Sequence, residues 1–255
     1  MPASTTTDWN CWKRTMSQGS VEFIVTALTE RPKPVACLDT CVYLDFFDYA
    51  LEPHIQDAFL KLEHLSGRED IYLISPSVVV EEYERNVKNS MDRLSGSVKR
   101  VIGQTKSIRD LFLVLGGADP QEPLPHYLDE SGCLSLLDGL QKRVEGLLRA
   151  SYVFNVPTEC EPSAFNRMKF NVRPAQRGKD SLGDCLITEG LLNLTRKLRG
   201  GGFAHPVSFV SSNVKDYADV RARLHPDLEP EFAGLSIDYY SHVSQAVAQI
   251  RRSLN

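Results

Sequence analysis

Acidic residues in this chain recur where an apolar run gives way to a helix. Asp39 ends the apolar run 35–38 and is followed by Thr40 and a second apolar stretch. Glu81 and Glu82 come directly after the Val-rich segment 77–80. Asp180 and Asp184 stand one helical turn apart at the head of a long segment with helical apolar spacing. Asn213 and Asp216 lie just past the apolar run 207–210. Carboxylates brought within a few ångströms of one another either raise a pKa or take up a cation. Oxygen ligands without His or Cys suit Mg²⁺ or Mn²⁺ rather than zinc. A cation held in this way activates water and stabilises the charge of a phosphoryl transition state. Asp39, Glu82, Asp184 and Asp216 together carry as much negative charge as the whole chain, whose net charge is −4.

Asp and Glu are also favoured in the first turn of any helix, by about 0.3–1 kcal/mol each. Taken singly, Glu81, Asp180 or Asp184 reads as a helix-start charge, and Asp39-Thr40 as a turn. It is the joint placement that points to a site, and Asp39 is its strongest member because it caps an apolar strand. The sequence leaves open Glu81 or Glu82, Asp180 or Asp184, and Asn213 or Asp216 as the ligand at three of the junctions.

The elements that must position these residues follow from periodicity and punctuation. Residues 19–30 read as an amphipathic helix with Val21, Ile24, Val25 and Leu28 on one face, ended by Pro32 and Pro34. Strands are expected at 35–38, 71–74, 152–156, 207–210 and 235–239. Helices are expected at 53–65, opened by Pro53, at 77–115 with a break near Gly96, and at 131–149, 180–198, 214–224 and 241–254. Ser241 is the expected N-cap of the last. Gly116 to Ser131, with three prolines, reads as a loop.

Strands alternating with helices predict an α/β fold: a three-layer α/β/α sandwich around a mostly parallel, five-stranded sheet. The expected organisation is an N-terminal helical extension, 1–34, and one domain, 35–255, with a helical insertion at about 92–150. In such a sheet the strand ends and helix starts share one edge, where ligands bind.

Composition narrows the function. Hydrophobic residues make up 42% of the 255 and charged residues 24%, a balance that excludes wholesale disorder. No apolar run approaches the length of a membrane span, and the N-terminus does not read as a secretory signal. Six cysteines are scattered without C-x-x-C or C-x-x-H spacing, which speaks against zinc and disulfides and for a reducing cytoplasm. The six histidines form no H-x-x-x-H or H-E-x-x-H pattern, and Gly200 to Gly202 precede a strand rather than open a helix. An acidic net charge argues against non-specific coating of nucleic acid.

The chain resembles the PIN-domain nucleases in their larger bacterial form. The first motif of that family is an apolar strand ending in Asp-Thr-Asn, and here it reads VACLDTCVYLDFF. The second appears as PSVVVEEYERN, which puts Glu82 in the family's Glu position with Glu81 beside it. The third appears as GKDSLGDCLITEGLL, with Asp184 in place and Asp180 as an alternative or additional ligand. The fourth appears as VSFVSSNVKDYAD, supplying Ser211, Asn213 and Asp216-Tyr217. Cys41 stands where the family usually has Asn, and Asn213 where many members have Asp. The second departure leaves open whether Asn213 or Asp216 completes the site and whether a second metal binds tightly.

The resemblance implies a Mg²⁺- or Mn²⁺-dependent endonuclease, acting most often on RNA, with DNA as an open substrate. Asp39, Glu82, Asp184 and Asp216 would be catalytic and hold the metal, with Asp180 and Asn213 as further ligands. Thr40 matches a hydroxyl that orients the first Asp.

Basic residues suggest the path of a substrate. Residues 166–179 carry Arg167, Lys169, Arg173, Arg177 and Lys179 without an acid, interleaved with Phe170 and preceded by Phe165. The run leads straight to Asp180, so we read it as a phosphate-gripping loop, with Thr40, Arg173, Arg177, Lys179 and Asn213 as substrate contacts. Lys179 has a second reading, as a local partner of a carboxylate. Lys99, Arg100, Lys106 and Arg109 read as a solvated face, and Arg196, Lys197 and Arg199 as the last turn of a helix.

Two other functions compete. A haloacid-dehalogenase-like phosphatase would need a second Asp where Cys41 stands. A non-catalytic PIN-like module binding nucleic acid or a partner would tolerate Asn213. A homodimer and a protein antidote are left open, and a membrane partner is not expected. Trp9 and Trp12 could dock on the domain or on a partner.

Overall fold

The computed structural model describes residues 18–114 and 130–254. Trp9, Trp12, Cys11, His126 and residues 116–129 of the predicted loop lie outside them, while its last two residues, Glu130 and Ser131, already belong to a helix. The sheet has six strands, all parallel: β1 (Gln18–Gly19), β2 (Val35–Leu38), β3 (Tyr72–Pro76), β4 (Tyr152–Phe154), β5 (Val207–Val210) and β6 (Ile237–Tyr240). Their order is β1-β4-β3-β2-β5-β6. The expected sheet is there, with one strand more. The two residues of β1 pair with Val153 and Phe154 just ahead of the first helix, and two residues show no period to read.

The helices are α1 (Val21–Glu30), α2 (Thr40–Asp48), α3 (Pro53–Gly67), α4 (Ser77–Val114), α5 (Glu130–Arg149), α6 (Glu161–Phe170), α7 (Leu182–Gly200), α8 (Val214–Tyr217), α9 (Glu229–Gly234) and α10 (Val243–Ser253). Helices α1, α6 and α7 pack together as one layer, and α2, α3, α4, α5 and α10 as the other. The N-terminal helix belongs to the common core through Val21, Ile24 and Leu28.

Strands β2, β3 and β5 are buried along their whole length, as befits a parallel sheet covered on both faces. From β2 the chain moves through β3 to β4, then returns past β2 to β5 and β6. The crossovers on either side of β2 therefore lie on opposite faces. The crevice between the carboxyl ends of β2 and β5 is a topological switch point, where open α/β sheets bind ligands.

Several elements differ from expectation. Helix α4 runs unbroken through Gly96, whose missing side chain faces no neighbour. A lone helical glycine costs only about 1 kcal/mol. Helix α2 fills a stretch left unassigned by pattern. Tyr43, Phe46 and Phe47 recur at three and four residues and are all buried, but aromatic and β-branched content masks the helical period. Helix α6 occupies the first part of the basic run and ends on Asn171 in the left-handed region at φ 53°. The helix expected at 214–224 stops at Tyr217. Ser241 is buried, and the N-cap of α10 is His242. Among the described residues no helix is long and apolar enough to cross a membrane, and Cys37, Cys41, Cys133, Cys160 and Cys185 are free thiols.

Candidate active site

Asp39 sits where β2 ends and α2 begins. Its own N–H donates to Val210 O on β5 at 2.9 Å, so backbone pairing fixes its position at the switch point. It is 3% exposed. Its Oδ1 accepts from Thr40 N at 2.7 Å, and Oδ2 accepts from the Ser211 hydroxyl at 2.6 Å and the Cys41 thiol at 3.2 Å. Burial raises its pKa, its three donors work the other way, and the Asp216 charge adds to the rise.

Glu82 lies on the second turn of α4. Its Oε2 accepts from the Thr40 hydroxyl at 2.9 Å. Thr40 thus holds Asp39 with its backbone and Glu82 with its side chain. Burial raises the Glu82 pKa as well. Glu81 is exposed at the rim.

Asp184 arrives differently from the other three. Strand β4 leads first to α6 and a long connection, 171–181, and only then to α7, whose first turn carries Asp184. Burial first, then the charge of Asp39, pushes its pKa up to about 7, against the opposing pull of Lys179. Asp180 is exposed, and its Oδ1 accepts from Leu182 N at 3.3 Å, the local helix-start role.

Asp216 is 1% exposed on the short helix α8. Its Oδ1 accepts from Gln176 Nε2 and its Oδ2 from Asn213 Nδ2, each at 2.5 Å, and Oδ2 also pairs with the Lys179 ammonium. Lys179 Nζ stands 3.4 Å from Asp184 Oδ2 and so bridges the two carboxylates. Burial works against the ammonium, but Asp216 and Asp184 outweigh it and hold its pKa above the ordinary lysine value. Four chain segments therefore bring Asp39, Glu82, Asp184 and Asp216 to one edge of the sheet. Glu82 and Asp184 open on a cleft of about 550 Å³, lined also by Glu81, Lys179, Asp180 and Asn213 among others.

The basic segment divides. Arg167 is 5% exposed and is not a phosphate contact. Its Nε donates to Glu189 at 2.6 Å, its Nη2 to both oxygens of Glu231, and its Nη1 to Arg173 O at 2.8 Å. The reason is that α6 turns this residue inward against α7 and α9. Arg173 spends its Nη1 on Lys215 O at 2.7 Å. Arg177 is exposed on the connection, while Phe165 and Phe170 are exposed on α6. Lys99 and Lys106 line a separate groove on α4, away from the carboxylates. Arg199 donates to the carbonyls of Phe203, His205, Leu235 and Ser236, more than a helix dipole requires.

Two positions carry a function that sequence reasoning missed. Gln176 holds Asp216 and Lys215 O together, and no local pattern marks it. Gly183 leaves room for Glu82: a Cβ there would lie 2.0 Å from Glu82 Oε1. A glycine in the first turn of an otherwise bulky helix was a signal available in the sequence. In Gly183→Ala the Glu82 carboxylate must swing aside and lose Thr40. The helix gain of alanine, about 1 kcal/mol, offsets a lost hydrogen bond of about the same size. We expect the melting temperature to stay near that of the wild type while any activity that needs Glu82 falls about 10²-fold, since small misplacements cost that much. Unchanged activity would separate Glu82 from the chemistry.

Among the described residues no group of three or more His, Cys, Asp or Glu is arranged to hold a metal ion as it stands. The donor chemistry nonetheless suits a hard divalent cation. The donors are carboxylate oxygens, no described residue donates a hydrogen bond to Glu82 Oε1 or Asp184 Oδ1, and Glu82 Oε1 has only the exposed Arg85 guanidinium at 4.0 Å beside it.

A carboxylate whose folded pKa is raised stabilises the fold below its unfolded pKa, about 3.9 for Asp, and loses that contribution as pH rises. For Asp184 the loss runs up through about 7. In chelator, the melting temperature of Asp184→Asn should therefore exceed that of the wild type by a margin that widens from pH 4 to pH 7. A margin that is flat over this range would contradict the raised pKa.

A family model described as a PIN domain matches residues 37–217. The match runs from Cys37 on β2 to Tyr217 on α8 and so contains Asp39, Glu82, Asp184 and Asp216. No curated protein and no solved structure matches the chain.

Proposed function

The chain belongs to the PIN-domain family, a superfamily of nucleases, and from that premise we propose that it hydrolyses phosphodiester bonds in RNA with Mg²⁺ or Mn²⁺. The observation that carries the reading is the meeting of Asp39, Glu82, Asp184 and Asp216, from four separate segments, at one edge of the sheet, linked through Thr40 and Lys179, with Glu82 and Asp184 lining an open cleft. Carboxylates with raised pKa values, as at Asp39, Glu82 and Asp184, are under-compensated and favour a cation. Asp39, Glu82 and Asp184 would hold it, with Asp216 as the fourth acid and Asp180 and Asn213 as oxygen donors at the rim. When bound, Mg²⁺ or Mn²⁺ lowers the pKa of water and offsets the charge on the phosphate.

The chain's own residues orient and steady. Thr40 N, Ser211 and Cys41 fix the Asp39 carboxylate, and the Thr40 hydroxyl fixes Glu82. Arg177, exposed on the connection that leads to Lys179, would steady a phosphate, and the exposed rings of Phe165 and Phe170 suit stacking on unpaired bases. RNA is preferred over DNA on family grounds.

The test is cleavage of labelled single-stranded RNA and DNA with Mg²⁺, Mn²⁺ or EDTA. Cutting of RNA that EDTA abolishes is the expected result. Cutting of DNA alone would move the substrate. Equal RNA binding with and without EDTA, and no cutting, would favour a binding module, the reading that the lysine already seated on Asp184 and Asp216 supports.

A further inference from the structure

Asp216 and Asp39 are both buried carboxylates, but they face different company. Asp39 accepts from a hydroxyl, a thiol and a backbone N–H. Asp216 accepts from two side-chain amides and an ammonium. An ionised carboxylate turns the NH₂ ends of Gln176 and Asn213 toward itself. A metal ion beside Asp216 would meet the positive ends of both amides as well as Lys179. The Glu82 Oε1 and Asp184 Oδ1 atoms, by contrast, accept no hydrogen bond from a described residue, and the nearest cation to Glu82 Oε1 is the exposed Arg85 guanidinium at 4.0 Å.

We infer that the Lys179 ammonium is a built-in cation for the Asp184–Asp216 half of the cluster, so that the chain takes a single divalent ion, on the Asp39–Glu82–Asp184 half. Asp216 is then a positioning residue: it holds Lys179 and Gln176. Gln176 and Arg173 both donate to Lys215 O, which ties the connection 171–181 to α8 and carries Lys179 to its place. Asn213 fits the same arrangement. A neutral residue there lowers the charge that a second metal would need, and one ammonium supplies the remainder. The inference rests on the metal-dependent reading above.

The experiment counts Mn²⁺ per chain by titration calorimetry and electron paramagnetic resonance, in wild type, Lys179→Met and Lys179→Arg. Lys179 is half-exposed on a surface connection, and Lys179→Gln serves as a second neutral variant should Lys179→Met melt early. One Mn²⁺ is expected in wild type and Lys179→Arg, and two in the neutral variants. Two ions in the wild type, or one in the neutral variants, would overturn the inference and leave the metal-dependent reading standing. No Mn²⁺ in any variant would overturn both.

Discussion

Asp39→Asn is expected to reduce metal-dependent cleavage by about 10³-fold, the upper range for loss of one preorganised electrostatic group, while the melting temperature stays level or rises. The two effects have one cause. Asp39 is buried beside Asp184 and Asp216, and burial and like charge both make its ionised form costly. Asn removes the charge, keeps an acceptor for Thr40 N, and lets the Ser211 hydroxyl reverse to accept. A gain of about 1 kcal/mol would raise the melting temperature of a chain this size by roughly 2–4 °C. The measurement pairs RNA cleavage with thermal melts in EDTA and in Mn²⁺. The wild type should gain more from Mn²⁺ than the variant does, because only a site that binds an ion is stabilised by it. Retained cleavage would remove Asp39 from the chemistry. A lower melting temperature would mean that its hydrogen bonds outweigh the cost of its charge.

Arg167→Met is expected to have the largest effect on stability. Arg167 is buried, and it compensates Glu189 and Glu231 while also capping Arg173 O. Removing one partner of a buried charge pair typically costs about 3–5 kcal/mol. Because Glu231 is itself part-exposed and can regain water, we expect the lower end, about 3 kcal/mol, or roughly 6–12 °C in melting temperature. Glu231→Gln should cost much less. Loss of Arg167 also frees Arg173 O, so the connection that carries Gln176 and Lys179 should become more open to proteolysis. Weakened RNA binding at an unchanged melting temperature would restore the phosphate-contact reading of Arg167.

The contrast between Arg167 and Arg177 marks where sequence reasoning stops. Both belong to one acid-free basic run, and composition treats them alike. A helix over 161–170 turns one inward to two glutamates from distant segments, while the other stays in water. Pairing over 22 and 64 residues of chain has no local signature. Helix α2 was obscured for a different reason. Its stripe of buried aromatics serves the core, but β-branched and aromatic residues read equally as strand.

The acid set was legible because it depends on local order. Asp39 follows a strand, and Glu82 and Asp184 lie in the opening turns of helices. An all-parallel sheet delivers all such junctions to one edge, whatever the lengths of the loops between them. Turn chemistry and period 2 or 3.6 patterning are properties of a few consecutive residues, so the α/β class, most of the strands and the edge that carries the acids could be read from the chain alone. The partners of those acids could not. The Thr40 hydroxyl goes to Glu82, 42 residues away, rather than to its neighbour Asp39. Gly183 makes room for a carboxylate from another helix. Lys179 bridges Asp184 and Asp216 rather than pairing with Asp180 next to it. Each is a contact between segments far apart in sequence, chosen by packing and by the cost of leaving charge uncompensated in a buried place, and that choice exists only once the chain has folded.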